Sequence, residues 1–330
     1  MLTLAEMPRV GVSRPVRLSM ARYGKWIEGA GPAERVAAVA RLAIDARLEA
    51  VWARLPDAAD GPIADAENVH QLRVASRRAV AALEIFSSLL PERRGKWLRQ
   101  QLKRVRRAAG DARDLDVLAA RLARRAQQPA AAFCLAVIDR IQADRRAAQE
   151  PICRIHGRLA GKDFPARQDE LVRRVRVRDQ SDVDLTFGQF ARRALRRLTD
   201  EFFAAAGADM ADINQLHAFR IQAKQLRYAM EVFVGAFGAS FRRDLYPQVE
   251  VIQEQLGEVN DHAAACQRYG RWLADSDCAA FADGLTRLIA EEQTALAAGQ
   301  ARFIAEWTKS RSDRLRQGFD ELLSPSALAG

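Results

Sequence analysis

The sequence has few residues that could form disulfides or bind a metal, with only four cysteines and four histidines among 330 residues. Cys134, Cys153, Cys266 and Cys278 form no CxxC pair and no closely spaced quartet, and the histidines lack a spacing such as HExxH. This pattern predicts free thiols in a reducing cytoplasm, no metal site and no cofactor.

Long apolar runs are also missing. No run of about 18 apolar residues is present to span a bilayer, and the N-terminus lacks the charged-then-apolar pattern of a secretory signal. We therefore expect a cytoplasmic protein without a membrane partner. Because no strand pattern and no alternation of strands with helices occurs, the sequence predicts an all-α fold.

Several functional signatures are absent as well. The sequence has no Walker loop and no carboxylate cluster for metal-assisted phosphoryl transfer. It also has no helix-turn-helix, zinc-finger or aromatic RNA-platform pattern. We therefore predict a protein that is not an enzyme and whose contact with nucleic acid is at most weak and non-specific.

Positive charge, in contrast, is abundant. The 52 Lys and Arg residues exceed the 42 Asp and Glu residues, so the formal charge is +10 and the pI is near 10.0. This excess favours a polyanionic partner, such as nucleic acid, a phosphate polymer or a membrane surface. Residues 70 to 118 contain twelve Lys and Arg against five acids, whereas residues 217 to 265 contain five against six.

One stretch of the sequence occurs twice. Residues 70 to 77 read HQLRVASR and return as HAFRIQAK at residues 217 to 224, a separation of 217 − 70 = 147 residues. The same offset relates Asp114 to Asp261 without a gap. Such a long match in register predicts two copies of one helical unit.

Each copy is predicted to contain a helix that has one cationic side and one apolar side. In the second copy the polar side recurs every three or four residues, at His217, Arg220, Lys224, Arg227 and Glu231. In the first copy the helix that follows has a second basic stripe and is predicted to break at Gly110. The stripe consists of Lys96, Arg99, Lys103, Arg106 and Arg107. If the apolar sides share one core, the cationic sides can line a common groove.

The predicted organisation has five segments. They are a loosely ordered basic tail over residues 1–32, a first helical repeat over 33–160, a basic connection over 161–185, a second helical repeat over 186–308 and a C-terminal tail over 309–330.

The two copies carry paired motifs, HxxRxxxR with GDARDLD in the first and HxxRIxxKxLRYxxE with LGExND in the second. These motifs resemble the CHAD family, the histidine-containing α-helical domains that include phosin-like proteins. The resemblance covers roughly residues 33 to 308. It rests on His70, Arg73, Arg77, Gly110, Arg113 and Asp114, and on His217, Arg220, Lys224, Arg227, Tyr228, Glu231, Leu256, Gly257, Asn260 and Asp261.

The resemblance implies two pseudo-symmetric four-helix bundle units around a central basic groove that binds inorganic polyphosphate. It also implies no catalytic activity and a place on cytoplasmic polyphosphate granules, with other granule proteins as further candidate partners. The predicted binding residues are His70, Arg73, Arg77, Arg78, Lys96, Arg99, Lys103, Arg106, Arg107, Arg113, Arg193, Arg197, His217, Arg220, Lys224, Arg227 and Tyr228. Because Val80 stands where Arg227 stands in the second copy, and Gln225 where Arg78 stands in the first, the contacts of the two copies should differ.

Four carboxylates are interpreted as structural partners that fix the groove arginines, and not as catalytic acids. They are Glu84, Asp114, Glu231 and Asp261. Rows of arginine at helical spacing are also common on solvated helix faces. His70 and His217 remain open to three roles, as structural residues, phosphate contacts or phosphorylated residues. The alternative functions are therefore a histidine phosphorelay or polyphosphate-processing protein that uses these histidines, and a nucleic-acid-binding protein.

Overall fold

The computed structural model describes residues 24 to 127, 133 to 177 and 185 to 324. The described residues form helices joined by turns and short irregular segments, and no strand occurs among them. The predicted all-α class is therefore confirmed. Among the helices in these ranges, none has the length and apolar character needed to cross a bilayer.

The first half of the chain packs successive helices side by side. Its described helices are α1 (Val36–Ala58), α2 (Ala66–Ile85), α3 (Glu92–Arg125), α4 (Phe133–Ala160) and α5 (Phe164–Arg173). The short helix α5 returns to pack on α1.

The second half has the same order of helices. They are α6 (Phe187–Ala206), α7 (Ile213–Phe233), α8 (Tyr246–Leu273), α9 (Ala282–Glu306) and α10 (Lys309–Leu323). The last helix, α10, packs on α6 as α5 packs on α1. Each half therefore has four long helices and a shorter fifth helix in its described residues.

The predicted basic connection over 161–185 contains helix α5, so this part of the sequence interpretation needs correction. Phe164, Gln168 and Leu171 recur at helical spacing and are buried. Asp163 caps the helix, since its carboxylate accepts a hydrogen bond from the amide of Ala166 at 3.2 Å. Because arginines are frequent in this segment, its few buried positions gave too weak a pattern to predict a helix.

The predicted C-terminal tail over 309–330 is likewise a helix up to Leu323. Leu315, Phe319 and Leu323 recur every four residues and are buried against the second half. Because the other residues of α10 are mostly polar, the sequence pattern was too sparse to reveal this helix. Residues 325 to 330 lie outside the described part of the chain.

The predicted loose tail over 1–32 lies outside the described residues up to residue 23, and the remainder is packed against the bundle. Ile27 is buried, and its amide donates to the carbonyl of Glu231 at 3.1 Å. The guanidinium of Arg47 donates to the carbonyls of Gly24 and Lys25, each at 2.7 Å. These backbone contacts order the segment that leads into α1.

The predicted helix break at Gly110 does not occur. Helix α3 runs without interruption for 34 residues through this glycine. A glycine inside a helix costs about 1 kcal/mol relative to alanine, a cost that a long helix packed on both neighbours tolerates. The reason for glycine at this position lies in the contacts described below.

Two apolar clusters join the halves. The larger cluster contains residues from all ten helices, including the rings of Phe86, Phe190 and Phe233, which lie 5.4 Å and 6.3 Å apart in succession. The smaller cluster joins the ends of α3 and α4 to α8 and α9, and there Trp272 donates to Asp144 at 2.9 Å. The cationic sides of α2, α3 and α7 are covered by neither cluster.

Candidate functional site

Helices α2 and α7 have their first turns fixed by the same kind of cap. The carboxylate of Asp65 accepts from the amide of Glu67 at 2.6 Å, and that of Asp212 accepts from the amide of Asn214 at 2.8 Å. Each helix then buries its apolar side, which leaves the row that begins at His70 or His217 on the other side.

A first cavity of about 320 Å³ lies where α2, α3, α7 and α8 meet. Its cationic lining comes from both halves of the chain. The lining includes His70, Arg73, Arg77, Arg113, Arg121, Arg220, Lys224, Arg268 and Arg271, together with the carboxylates of Asp111, Asp114 and Asp261.

A second cavity of about 650 Å³ adjoins the first. It adds Lys103, Arg106 and Arg107 from α3 and Tyr228 from α7, and Glu84 contributes a carboxylate. Four cations line both cavities, and we call this set the cationic waist. It consists of Arg73 and Arg77 on α2 and Arg220 and Lys224 on α7.

Arg73 is held in place within the cationic waist. Its Nη1 donates to the carbonyl of Gly110 at 3.0 Å and to Asp114 at 3.1 Å. A Cβ at position 110 would lie 3.2 Å from this same nitrogen, so glycine allows the close approach. Burial lowers the pKa of Arg73 and raises that of Asp114, yet the guanidinium stays charged because its unperturbed value is so high.

Arg220 occupies the matching position of the second half without this support. Its Nε is buried and has no hydrogen-bond partner in the described residues. Burial lowers the pKa of Arg220, as it does for Arg73. An unpaired buried donor is costly, so Arg220 is less well supported than Arg73.

Lys224 has the largest pKa shift among the four waist residues. Burial, followed by the adjacent guanidinium groups of Arg220, Arg77 and Arg73, lowers its pKa to about 6, and Asp261 offsets this only in part. An amine with this pKa is largely neutral at pH 7 when the cavity is empty. Negative charge from a ligand would favour its protonated form.

The two histidines lie in different surroundings. His70 lines the first cavity, where burial and then Arg113 lower its pKa, so it is neutral at pH 7. His217 is exposed and lies outside both cavities. The helical repeat therefore does not bring the two histidines into one site.

Seven of the predicted binding residues do not line the two cavities. They are Arg78, Lys96, Arg99, Arg193, Arg197, His217 and Arg227. Arg197 is an exposed residue paired with Glu201 at 2.6 Å. Arg227 donates to the Tyr246 hydroxyl at 3.2 Å, and its guanidinium lies 4.8 Å from the centre of the Tyr228 ring. The ten others line at least one cavity.

The four predicted structural carboxylates also divide. Asp114 pairs with Arg73, and Glu231, which is fully buried, pairs with Arg78 of the first half at 2.6 Å. Glu84 and Asp261 have no cation within ion-pair distance in the described part of the chain, although both line a cavity. Position within the repeat therefore does not determine the role of a carboxylate.

Three cavity arginines were not predicted from the sequence, namely Arg121, Arg268 and Arg271. Arg121 donates to Glu292 at 2.8 Å, and Arg268 pairs with Asp111 at 3.5 Å, so each links one half to the other. Arg121 and Arg268 are separated by the same 147 residues as the repeated histidines. Extending the repeat by two helical turns beyond the motif would have identified both.

Comparisons with known proteins bear on this architecture. A family model described as the CHAD domain matches residues 42–270. The crystal structure of the CHAD domain from the plant Ricinus communis has a TM-score of 0.66 and 22% identity, covering 90% of this chain and 96% of that one. PptA from Streptomyces chartreusis has a TM-score of 0.60 and 19% identity, with 84% and 100% covered. No curated protein sequence matches the chain.

Proposed function

The chain belongs to the CHAD domain family, as its motifs predict, and from this premise we propose that its two adjoining cavities bind inorganic polyphosphate. Members of this family bind polyphosphate-related ligands. The observation that carries the proposal is the cationic waist. Two arginines from the first half, and one arginine and one lysine from the second half, line both cavities.

The chemistry of the waist suits a linear chain of phosphates. Guanidinium groups form paired hydrogen bonds with phosphate oxygens, and a lysine adds a compact charge. Only one of the four waist cations, Arg73, has a carboxylate within ion-pair distance in the described residues. A ligand with a negative charge on every phosphate can contact the waist and reach into both cavities.

The proposed role is non-catalytic. The Asp114 carboxylate is engaged by Arg73, and His70 lies beside Arg113, so both groups support an electrostatic binding site. In the cell, such binding would attach the protein to polyphosphate granules in the cytoplasm. A tagged protein should then coincide with granules in micrographs, and the Arg77→Glu variant should be dispersed.

The direct test is a competition between long-chain polyphosphate and duplex DNA at an ionic strength of about 0.15 M. Polyphosphate should displace a labelled polyphosphate probe, and DNA should not. Arg77→Glu should weaken binding at least tenfold because it reverses a waist charge. Arg197→Glu, which makes the same charge change outside the cavities, should alter the dissociation constant less than twofold.

Three outcomes would replace the proposal. Equal displacement by DNA would indicate a nucleic-acid-binding protein. Release of orthophosphate that Arg77→Glu abolishes would indicate a polyphosphate-processing enzyme. An acid-labile phosphoryl group on the protein that is lost with His70→Gln would indicate a phosphorelay.

A further inference from the structure

The basic stripe of α3 begins inside the second cavity and continues beyond it. Lys103, Arg106 and Arg107 line the cavity, whereas Arg99 and Lys96 lie on the same side of the helix toward its N-terminus. At 1.5 Å per residue, the stripe from Arg107 to Lys96 is about 16 Å long. None of these five cations forms an ion pair with another described residue, although the carboxylate of Glu84 lines the same cavity as Lys103, Arg106 and Arg107.

A separate pocket of about 290 Å³ lies near the N-terminal end of the stripe, between the start of α3 and α5 and on another side of α3. The pocket is lined by Arg93, Arg94, Trp97, Leu98, Arg167 and Glu170. Arg93 lies one helical turn before Lys96 and about 60° around the helix from it, so this arginine stands between the stripe and the pocket. Arg93 is exposed and has no ion pair among the described side chains.

The arginines of this pocket outnumber its single carboxylate. Arg94 pairs with Glu170, and Arg174 reaches the same carboxylate at 3.4 Å. The guanidinium of Arg167 lies 4.7 Å from the centre of the Trp97 ring, and its Nε donates to the carbonyl of Lys162 at 2.8 Å. Arg167 is therefore held beside the pocket by an aromatic ring and a carbonyl, and not by an acid.

The second half has no equivalent of this path. Positions 147 residues after the stripe hold Arg243, Tyr246, Glu250, Gln253 and Glu254. Those after Arg93, Arg94 and Trp97 hold Ser240, Phe241 and Asp244. Tyr246 is buried and Glu250 pairs with Lys25 at 2.6 Å, so this surface serves packing in the second half.

We propose that a long polyphosphate chain leaves the second cavity along the α3 stripe and is held at its far end by Arg93 and Arg167. This inference rests on the proposed function of the cavities and adds a second anion site about 20 Å away along α3. A chain that reaches both sites binds more tightly, because binding at one site raises the effective concentration of its other phosphates at the second site. A short chain that fills only the cavities gains nothing from the pocket.

The test compares tripolyphosphate with long-chain polyphosphate on the double variant Arg93→Glu/Lys96→Glu. Both side chains are exposed and have no ion pair to lose among the described residues, so the fold should persist. The dissociation constant of the long chain should rise at least tenfold, and that of tripolyphosphate should change less than twofold. Tripolyphosphate binding also reports that the cavities remain intact.

The matched control is Lys309→Glu/Arg314→Glu, which makes the same charge change on exposed residues of α10 in the second half. It should change the dissociation constant of either ligand less than threefold. Equal losses for both ligands in the α3 variant, or an equal loss of long-chain binding in the control, would overturn the inference. Wild-type protein that binds neither ligand would overturn the proposed function, and this inference with it.

Discussion

The two halves of the protein place equivalent cations on equivalent helices but support them differently. Arg73 is fixed by Asp114 and the carbonyl of Gly110, whereas the Nε of Arg220 is buried without a hydrogen-bond partner among the described residues. At the next position of the row, the first half has Arg77 and the second half has Lys224. Among the described residues, Arg73 is therefore held in a fixed orientation by groups of its own half, and Arg220 lacks this support.

The matching glutamates differ even more. Glu84 is exposed at the second cavity, whereas Glu231 is fully buried and binds Arg78 of the opposite half. The hydroxyl of Tyr246 also donates to Glu231, at 3.0 Å. Since Gln225 replaces Arg78 in the second half, Glu84 has no such cation to bind. The same residue type at matching positions therefore has different roles, which its neighbours set.

The largest expected difference between the halves is in stability. Glu231→Ala removes a fully buried carboxylate and leaves the partly buried Arg78 without this partner, so it should lower the free energy of unfolding by about 3–5 kcal/mol. Glu84→Ala changes an exposed position and should stay within about 0.5 kcal/mol of wild type. Urea denaturation measures both. Similar losses for the two variants would show that the halves are supported alike.

The next difference concerns affinity. Arg73→Ala removes a pre-oriented donor and also leaves Asp114 unpaired in the cavity, so polyphosphate should bind about 100-fold more weakly, or about 2.7 kcal/mol. Arg220→Ala removes a donor without a fixed partner and should cost about tenfold. Calorimetric titrations provide both values. A larger loss for Arg220→Ala would reverse the comparison.

Proton uptake should distinguish Lys224 from Arg77. The pKa of Lys224 is about 6 in the empty cavity, and bound phosphates should raise it toward its usual value. Binding therefore takes up about one proton per protein at pH 7.5, and affinity falls as the pH rises above 6. Calorimetry in two buffers of different ionisation enthalpy measures the uptake. Lys224→Arg makes the halves alike and should abolish it, so an unchanged uptake would assign the proton elsewhere.

The smallest difference concerns the two glycines. Gly257→Ala should raise stability by about 0.5–1 kcal/mol, since the nearest atom to a new Cβ is 3.8 Å away. Because Gly257 lines the first cavity, the small added methyl group should change affinity less than twofold. Gly110→Ala places a Cβ 3.2 Å from Nη1 of Arg73 and must shift it. We expect less stabilisation there and a two- to threefold weaker affinity. Thermal melts and titrations of both variants would show whether they differ.

The sequence predicted the features that follow from helical periodicity and from the repeat. The 147-residue register placed Arg73, Arg77, Arg220 and Lys224 on one pair of helices, and these residues do share two cavities. It did not reveal α10, because three apolar residues spaced by four among polar ones are a weak signal for a helix. It could not show that His70 lines a cavity and that His217 is exposed, because exposure depends on which neighbouring helix covers each residue.

The sequence also could not assign Arg78. Its place beside the basic row favoured a ligand contact, but Glu231 lies 153 residues away and is brought to it only by the packing of α2 on α7. Contacts between halves depend on the tertiary arrangement and have no local pattern. The same holds for Arg121 with Glu292 and for Arg268 with Asp111.

The most direct test of the central claim is the salt dependence of polyphosphate affinity in wild type and in a variant with Arg73, Arg77, Arg220 and Lys224 all replaced by alanine. Log affinity should fall linearly with log salt by roughly 0.7 per phosphate contacted, so losing four contacts should flatten the slope by roughly 3. Circular dichroism should first show that the variant remains helical. A folded variant whose slope equals that of wild type would contradict a binding site built on the cationic waist.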